Sequence, residues 1–256
     1  MSSEVQYPTE IVDLPSKGWY YPESHPLASG QIEIYYMTAK HEDILTSRNL
    51  IQRGVVIDKL VEALIVSKDI KYEDLLVGDK NGLMVAARIM GYGKDYNTTI
   101  ECPACEQSTS HTINLEEIGN KELTFSDKNK NKNEFEFKLP FSKRTITFQL
   151  LSHKDERAVQ ADLDAVKKMV KSEITADVTT RMKKSILSVD GVRDGKAVRE
   201  FVDSMLARDA QAFREYARTV NPDIDLTFDF ECPSCGHRAR LEVPIDVNFF
   251  WPNSSV

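Results

Sequence analysis

Glu101-Cys102-Pro103-Ala104-Cys105 and Glu231-Cys232-Pro233-Ser234-Cys235 are the two stretches on which the reading of this 256-residue chain turns. They hold all four of its cysteines. Two C-x-x-C pairs match the ligand arithmetic of tetrahedral zinc, which takes four thiolates at about 2.3 Å. Two intervening residues let the chain turn so that both sulfurs face one point. Gly236 follows the second pair and tolerates the left-handed conformation such a turn needs, whereas Glu106 stands at the equivalent place in the first. Four thiolates close the coordination shell, so the spacing predicts one structural, non-catalytic zinc held by Cys102, Cys105, Cys232 and Cys235. Two separate sites recruiting His111 or His237 stay open at this level. So do redox cysteines, although a redox C-x-x-C belongs between a strand and a helix. The flanks here read as extended on both sides: Thr98-Thr99-Ile100 and His111–Leu115 around one pair, Leu226–Phe230 and Arg238–Val243 around the other. Each pair therefore reads as the tip of a β-hairpin.

Working outward, the matched pairs point to an internal repeat. An offset of 130 lays Cys102 on Cys232, Asp95 on Asp225, Ile100 on Phe230, Ile113 on Val243, Leu115 on Ile245 and Glu116 on Asp246. Upstream, Ile32–Thr38 resembles Ile146–Ser152 at an offset of 114, and Leu14-Pro15-Ser16-Lys17 echoes Leu139-Pro140 with Ser142-Lys143. Each copy has one plan: an extended segment, a capping Thr38 or Ser152, helices, then a C-x-x-C hairpin. Ser152 with Asp155 approximates a capping box. Helical spacing joins Val55, Val56, Lys59, Leu60, Ala63 and Leu64, then Leu83, Met84, Ala87, Ile89 and Met90. In the second copy it joins Val159, Leu163, Val166, Met169 and Val170, then Met182 and Ile186. One stretch then runs from Ala197 to Leu206, and another from Ala210 to Val220, ended by Asn221-Pro222.

The expected fold is α+β. Two duplicated helix-rich lobes each end in a C-x-x-C hairpin, and a zinc-ribbon-like site joins them. A first lobe covers residues 9–118, a polar linker 119–133, and a second lobe 134–248. Within the linker, Asp127–Asn133 reads as a mobile, solvated loop tip, and Glu134–Leu139 alternates as a half-buried strand. On this plan the metal clips the lobes together.

Composition narrows the function. The chain is 41% hydrophobic and 29% charged, with a net charge of −7, ordinary for a globular protein and poor for nucleic-acid binding. No apolar run is long enough to span a membrane, and Met1–Gln6 lacks the pattern of a signal peptide, so a soluble cytoplasmic protein is expected. No H-E-x-x-H, P-loop or G-x-S-x-G pattern is present, and Gly91-Tyr92-Gly93 lacks the rest of a dinucleotide fingerprint. The five histidines are scattered. No catalytic or cofactor-binding residues are predicted. Trp19-Tyr20-Tyr21 and Phe249-Phe250-Trp251-Pro252 place large aromatics near both ends, for the core or for a partner's pocket.

The segment Val12-Asp13-Leu14-Pro15-Ser16-Lys17-Gly18-Trp19-Tyr20-Tyr21, continuing through Leu27–Ile34 to Met37–Leu45, resembles the baseplate hub assembly proteins of T-even-type contractile-tailed bacteriophages. The likeness covers roughly residues 9–120 directly, and reaches further through the repeat. It implies a non-enzymatic role in building the tail's central hub. The implied partners are other phage baseplate or tail proteins, met in the host cytoplasm or in the virion baseplate. It supplies no binding residues by position. The competing reading is a zinc-ribbon nucleic-acid adaptor or viral transcription accessory protein, for which Arg238 and Arg240 are the best support.

Overall fold

The structure is a computed structural model, and it describes residues 7–169, 176–245 and 247–250. Val170, Asp246, Trp251 and Pro252, which figure in the sequence reading, lie outside the described residues.

The chain opens with a hairpin of β1 (Thr9–Asp13) and β2 (Gln31–Tyr35), in register from Thr9↔Tyr35 to Asp13↔Gln31. Four helices follow: α1 (Ala39–Leu45), α2 (Arg48–Gln52), α3 (Val56–Leu64) and α4 (Val77–Tyr92). Helix α3 shows why they form: Val56, Leu60, Val61 and Leu64 fall on one face, and all four are buried. Next, β3 (Asp95–Glu101) pairs antiparallel with β4 (Ser108–Asn114).

The second half also begins with a hairpin and ends, before α9, with another. β5 (Phe135–Lys138) and β6 (Thr145–Phe148) pair antiparallel, and α5 (His153–Met169) and α6 (Asp177–Ser185) follow. The α5 cap is reciprocal: Ser152 N–H and Oγ donate to Asp155 Oδ2 at 3.1 and 2.8 Å, and Asp155 N–H donates to Ser152 Oγ at 3.3 Å. β7 (Ile186–Val189) then joins β6 in a three-stranded sheet of order β5-β6-β7. Helical spacing had assigned Ile186 to a helix; instead α6 stops at Ser185 and Ile186 enters a strand. α7 (Gly195–Ser204) and α8 (Ala207–Val220) are distinct helices, so Met205 and Leu206 connect them and do not extend α7. β8 (Thr227–Glu231) and β9 (Arg238–Glu242) form the last hairpin, and α9 (Val247–Phe250) closes the described chain.

Two buried aspartates fix the turns of the first hairpin in each half. In the first, Asp79, the third residue of α4, accepts from Ser16 N–H (2.8 Å), Ser16 Oγ (2.7 Å) and Tyr21 OH (2.7 Å). In the second, Asp209, the third residue of α8, accepts from Phe141 N–H (2.8 Å) and Ser142 N–H (2.9 Å). Each turn carries a lysine in the left-handed region, Lys17 at φ 51° and Lys143 at φ 60°.

Buried residues from both halves, among them Leu14, Ile34, Leu64 and Leu83 with Phe148, Ile186 and Phe213, form one continuous core. The seam has hydrogen bonds of its own. Val77 N–H donates to Leu151 O (3.1 Å), His153 N–H to Leu75 O (2.8 Å), and Asn81 Nδ2 to Asp223 Oδ1 (3.0 Å). Gly78 allows the closest approach, since a Cβ there would lie 1.8 Å from Pro222 O. The metal is therefore not needed as the clip between halves, because apolar burial and this ladder already join them. The connecting stretch is also strapped down: Lys121 N–H donates to Asp223 O (2.8 Å), Asn131 N–H to Trp19 O (2.7 Å), and Trp19 Nε1 to Ser126 O (3.1 Å). Phe125 rests on the rings of Trp19 and Tyr20, and within Asp127–Asn133 the expected solvated tip is only partly so, because Asn129 Nδ2 donates to Glu134 O and Asn133 exchanges hydrogen bonds with the Leu150 backbone (2.9 and 2.8 Å).

The aromatic ends go to the core as far as they are described. Tyr20, Tyr21, Phe249 and Phe250 are buried. Arg88, fully buried on α4, fixes the C-terminal pair by donating Nε to Phe249 O, while its other nitrogens reach Gly93 O (2.7 Å) and Asp95 O (3.2 Å).

Candidate metal centre

β3 runs into Cys102 and β4 leaves after Cys105; β8 and β9 frame Cys232 and Cys235 in the same way. The two turns have matching bonds. Cys102 N–H donates to Gln107 O (3.0 Å) and Glu106 N–H to Cys102 O (2.9 Å); Cys232 N–H donates to His237 O (2.9 Å) and Gly236 N–H to Cys232 O (2.9 Å). Gly236 takes φ 70°, and Glu106 takes the same left-handed turn at φ 58°. Glutamate thus does at some strain what glycine does freely.

The structure brings all four predicted ligands together. Their sulfurs lie within 4.8 Å of one another, with Cys102 Sγ 3.7 Å from Cys235 Sγ and Cys105 Sγ 3.8 Å from Cys232 Sγ. Four sulfurs at about 2.3 Å from a central ion form a tetrahedron with edges of about 3.8 Å, so the donor set has the size a thiolate-bound metal requires. No disulfide joins them: the cysteines are free, and these separations exceed the S–S bond length of about 2.05 Å.

The local electrostatics divide the thiols. Burial pushes the Cys232 thiol up, but N–H groups of Cys235 and Ser234 outweigh it and hold it down at about 6. At Cys105 the Gln107 N–H favours ionisation, yet the neighbouring thiols, Cys235 first, raise it to about 12. Four sulfurs this close cannot all ionise unaided; a divalent cation in their midst removes that conflict.

Beneath the sulfurs, Ile100 and Phe230 are buried with Cys102 and Cys232, against Phe228 and Leu241. The His111 ring packs on Phe228 and Phe230, with centroids 5.1 and 6.0 Å away. It thus supports the hairpins by packing, a role the sequence reading missed when it held His111 as a possible ligand. The alternation of Phe228 and Phe230 opposite a ring on the other hairpin was the available signal. Arg238 pairs with Glu231 (3.1 Å), and Arg240 with Asp225 and Thr227 Oγ1 (2.6 Å to the hydroxyl). Both arginines offered for phosphate contacts are thus engaged by groups of their own hairpin.

The family model described as T4 bacteriophage base plate protein matches residues 11–251. The chain belongs to that family. Membership of this baseplate family extends the likeness from the first half across the second C-x-x-C pair, and it implies other phage tail or baseplate proteins as partners. No curated protein and no solved structure matches the chain. Among the described residues of this baseplate-family chain, no helix is long and apolar enough to cross a membrane.

Proposed function

We propose that the chain is a non-enzymatic structural or assembly protein of the baseplate hub, stiffened at one end by a single structural zinc on Cys102, Cys105, Cys232 and Cys235. The observation that carries this reading is the pairing of a baseplate family match over residues 11–251 with a thiolate cage of tetrahedral size. Four thiolates leave no open coordination position for a substrate or water, so zinc here holds backbone and does no chemistry. The site of action is the tail baseplate, reached by assembly in the host cytoplasm.

Internal duplication supports the same picture of a scaffold. The offset of 130 that relates the cysteine pairs also relates Asp79 to Asp209, and no gap is needed between them and the cysteines. Both aspartates grip a turn with a left-handed lysine. On this reading residues 9–118 and 134–248 are two copies of one unit, with 119–133 between them.

The test is metal analysis of the purified chain together with its recovery from assembly intermediates of the tail. One zinc per chain, and co-purification with baseplate proteins, are the expected results. A metal-free chain, or one that partners only with DNA in a salt-sensitive manner, refutes the proposal.

A further inference from the structure

Among the differences between the two halves, one borders a groove. In the first, α3 ends at Leu64, the chain bridges Ile65 to Ile34 on β2, and the α3 face of Val56, Leu60, Val61 and Leu64 is buried. In the second, α6 ends at Ser185 and Ile186 pairs with Phe148 on β6, the corresponding connection. The α6 sequence Asp177-Val178-Thr179-Thr180-Arg181-Met182-Lys183-Lys184-Ser185 buries Met182 alone. The second half has a cavity of about 520 Å³ between α6, the end of β6 and α8.

Phe148, Leu150, Met182, Phe213 and Ala217 line it with apolar surface, and Val178 is exposed at its border. Three arginines stand around it. Arg181 is neutralised by Glu156 and Asp177. Arg214 and Arg218, one turn apart on α8, have no hydrogen-bond or ion-pair partner among the described residues. An apolar trough flanked by two free guanidinium groups is complementary to side chains of one kind, apolar residues interspersed with carboxylates.

We propose that this groove docks an acidic, amphipathic segment of another baseplate protein, which inserts apolar side chains over Phe148, Met182 and Phe213 and places carboxylates on Arg214 and Arg218. The inference rests on the baseplate reading and names one surface through which it operates.

The test uses the intact, metal-loaded chain against an array of overlapping peptides covering the tail and baseplate proteins of the same phage. The expected result is binding to peptides that combine apolar residues with at least two acidic ones. Arg214→Glu with Arg218→Glu should weaken it about tenfold or more, and Lys-for-Glu peptides should restore it to the double variant. Val178→Asp, at an exposed position, should weaken binding with the charges intact. Unchanged thermal melting of each variant shows that the fold is retained. Equal binding by wild type and double variant, binding only to peptides of this chain itself, or no binding at all overturns the proposal. Co-purification of the intact variant with baseplate proteins separates the failures. If it persists, the groove assignment alone falls; if wild type also fails to co-purify, the baseplate reading falls with it.

Discussion

Removing the metal should unfasten the two hairpin tips without unfolding the molecule. The tips are residues 101–108 and 231–238, eight residues each. Ordering sixteen residues costs roughly 16 kcal/mol at the low end of about 1 kcal/mol each. Against this, the burial of Ile100 and Phe230, which lie just before the tips and lose their cover when the tips part, contributes about 3–6 kcal/mol. The shortfall of about 10–13 kcal/mol is what a structural zinc supplies in small peptides at neutral pH, about 10–16 kcal/mol. The main core lies in a separate cluster, and the seam between halves has its own hydrogen bonds, so neither depends on the ion. The assay is hydrogen exchange on metal-loaded and chelator-treated protein. The amides of Cys102, Glu106, Cys232 and Gly236 should lose protection, while those of α4 and the β5-β6-β7 sheet keep theirs. Tips that stay protected without metal, or a chain that unfolds all at once, would refute this partition.

Arg88→Met should lower stability by about 1–3 kcal/mol, since the buried Phe249 carbonyl loses its donor while those of Gly93 and Asp95, at exposed residues, can turn to water; urea unfolding measures it, and faster proteolysis near Phe249 and Phe250 should accompany it. Gly78→Val should cost about 1–3 kcal/mol by pushing α4 away from Pro222, read as a lower melting temperature. The two turn-gripping aspartates should titrate in opposite senses. Burial pushes the Asp79 carboxyl above its ordinary 3.8, so its ionised form costs stability, and the cost is relieved as pH falls through its folded pKa. Burial also acts on Asp209, but the N–H groups of Phe141 and Ser142 overcome it and hold that carboxyl below 3.8. Its contribution is therefore present above the unfolded value and lost as pH falls through the folded one. Stability curves of Asp79→Asn and Asp209→Asn between pH 6 and 2 should thus deviate from wild type in opposite directions; a shared direction would defeat the assignment.

The convergence of the four cysteines was legible because thiol pairs at this spacing have few other uses in a chain without further cysteines. Helix α3 was legible for a different reason: Val56, Leu60 and Leu64 repeat at the helical period, and local spacing alone determines a face. The same rule misplaced Ile186. A short apolar run such as Ile186–Val189 carries no period long enough to separate strand from helix, and pairing with β6 decided it. The break at Met205 and Leu206 was hidden likewise, because both residues continue the apolar stripe of α7 while the chain turns to present Asp209 to the Phe141–Ser142 turn.

By itself, then, the sequence determined the α+β class, the convergence of the four cysteines and the baseplate likeness, all of which depend on residue type and spacing along the chain. Only the tertiary structure decided that the halves share one core, that Arg238 and Arg240 are engaged, and that α6 leaves open a groove beside Arg214 and Arg218. Those features depend on which distant surfaces meet. That is a matter of side-chain volume and charge compensation across the fold, and no local pattern encodes it.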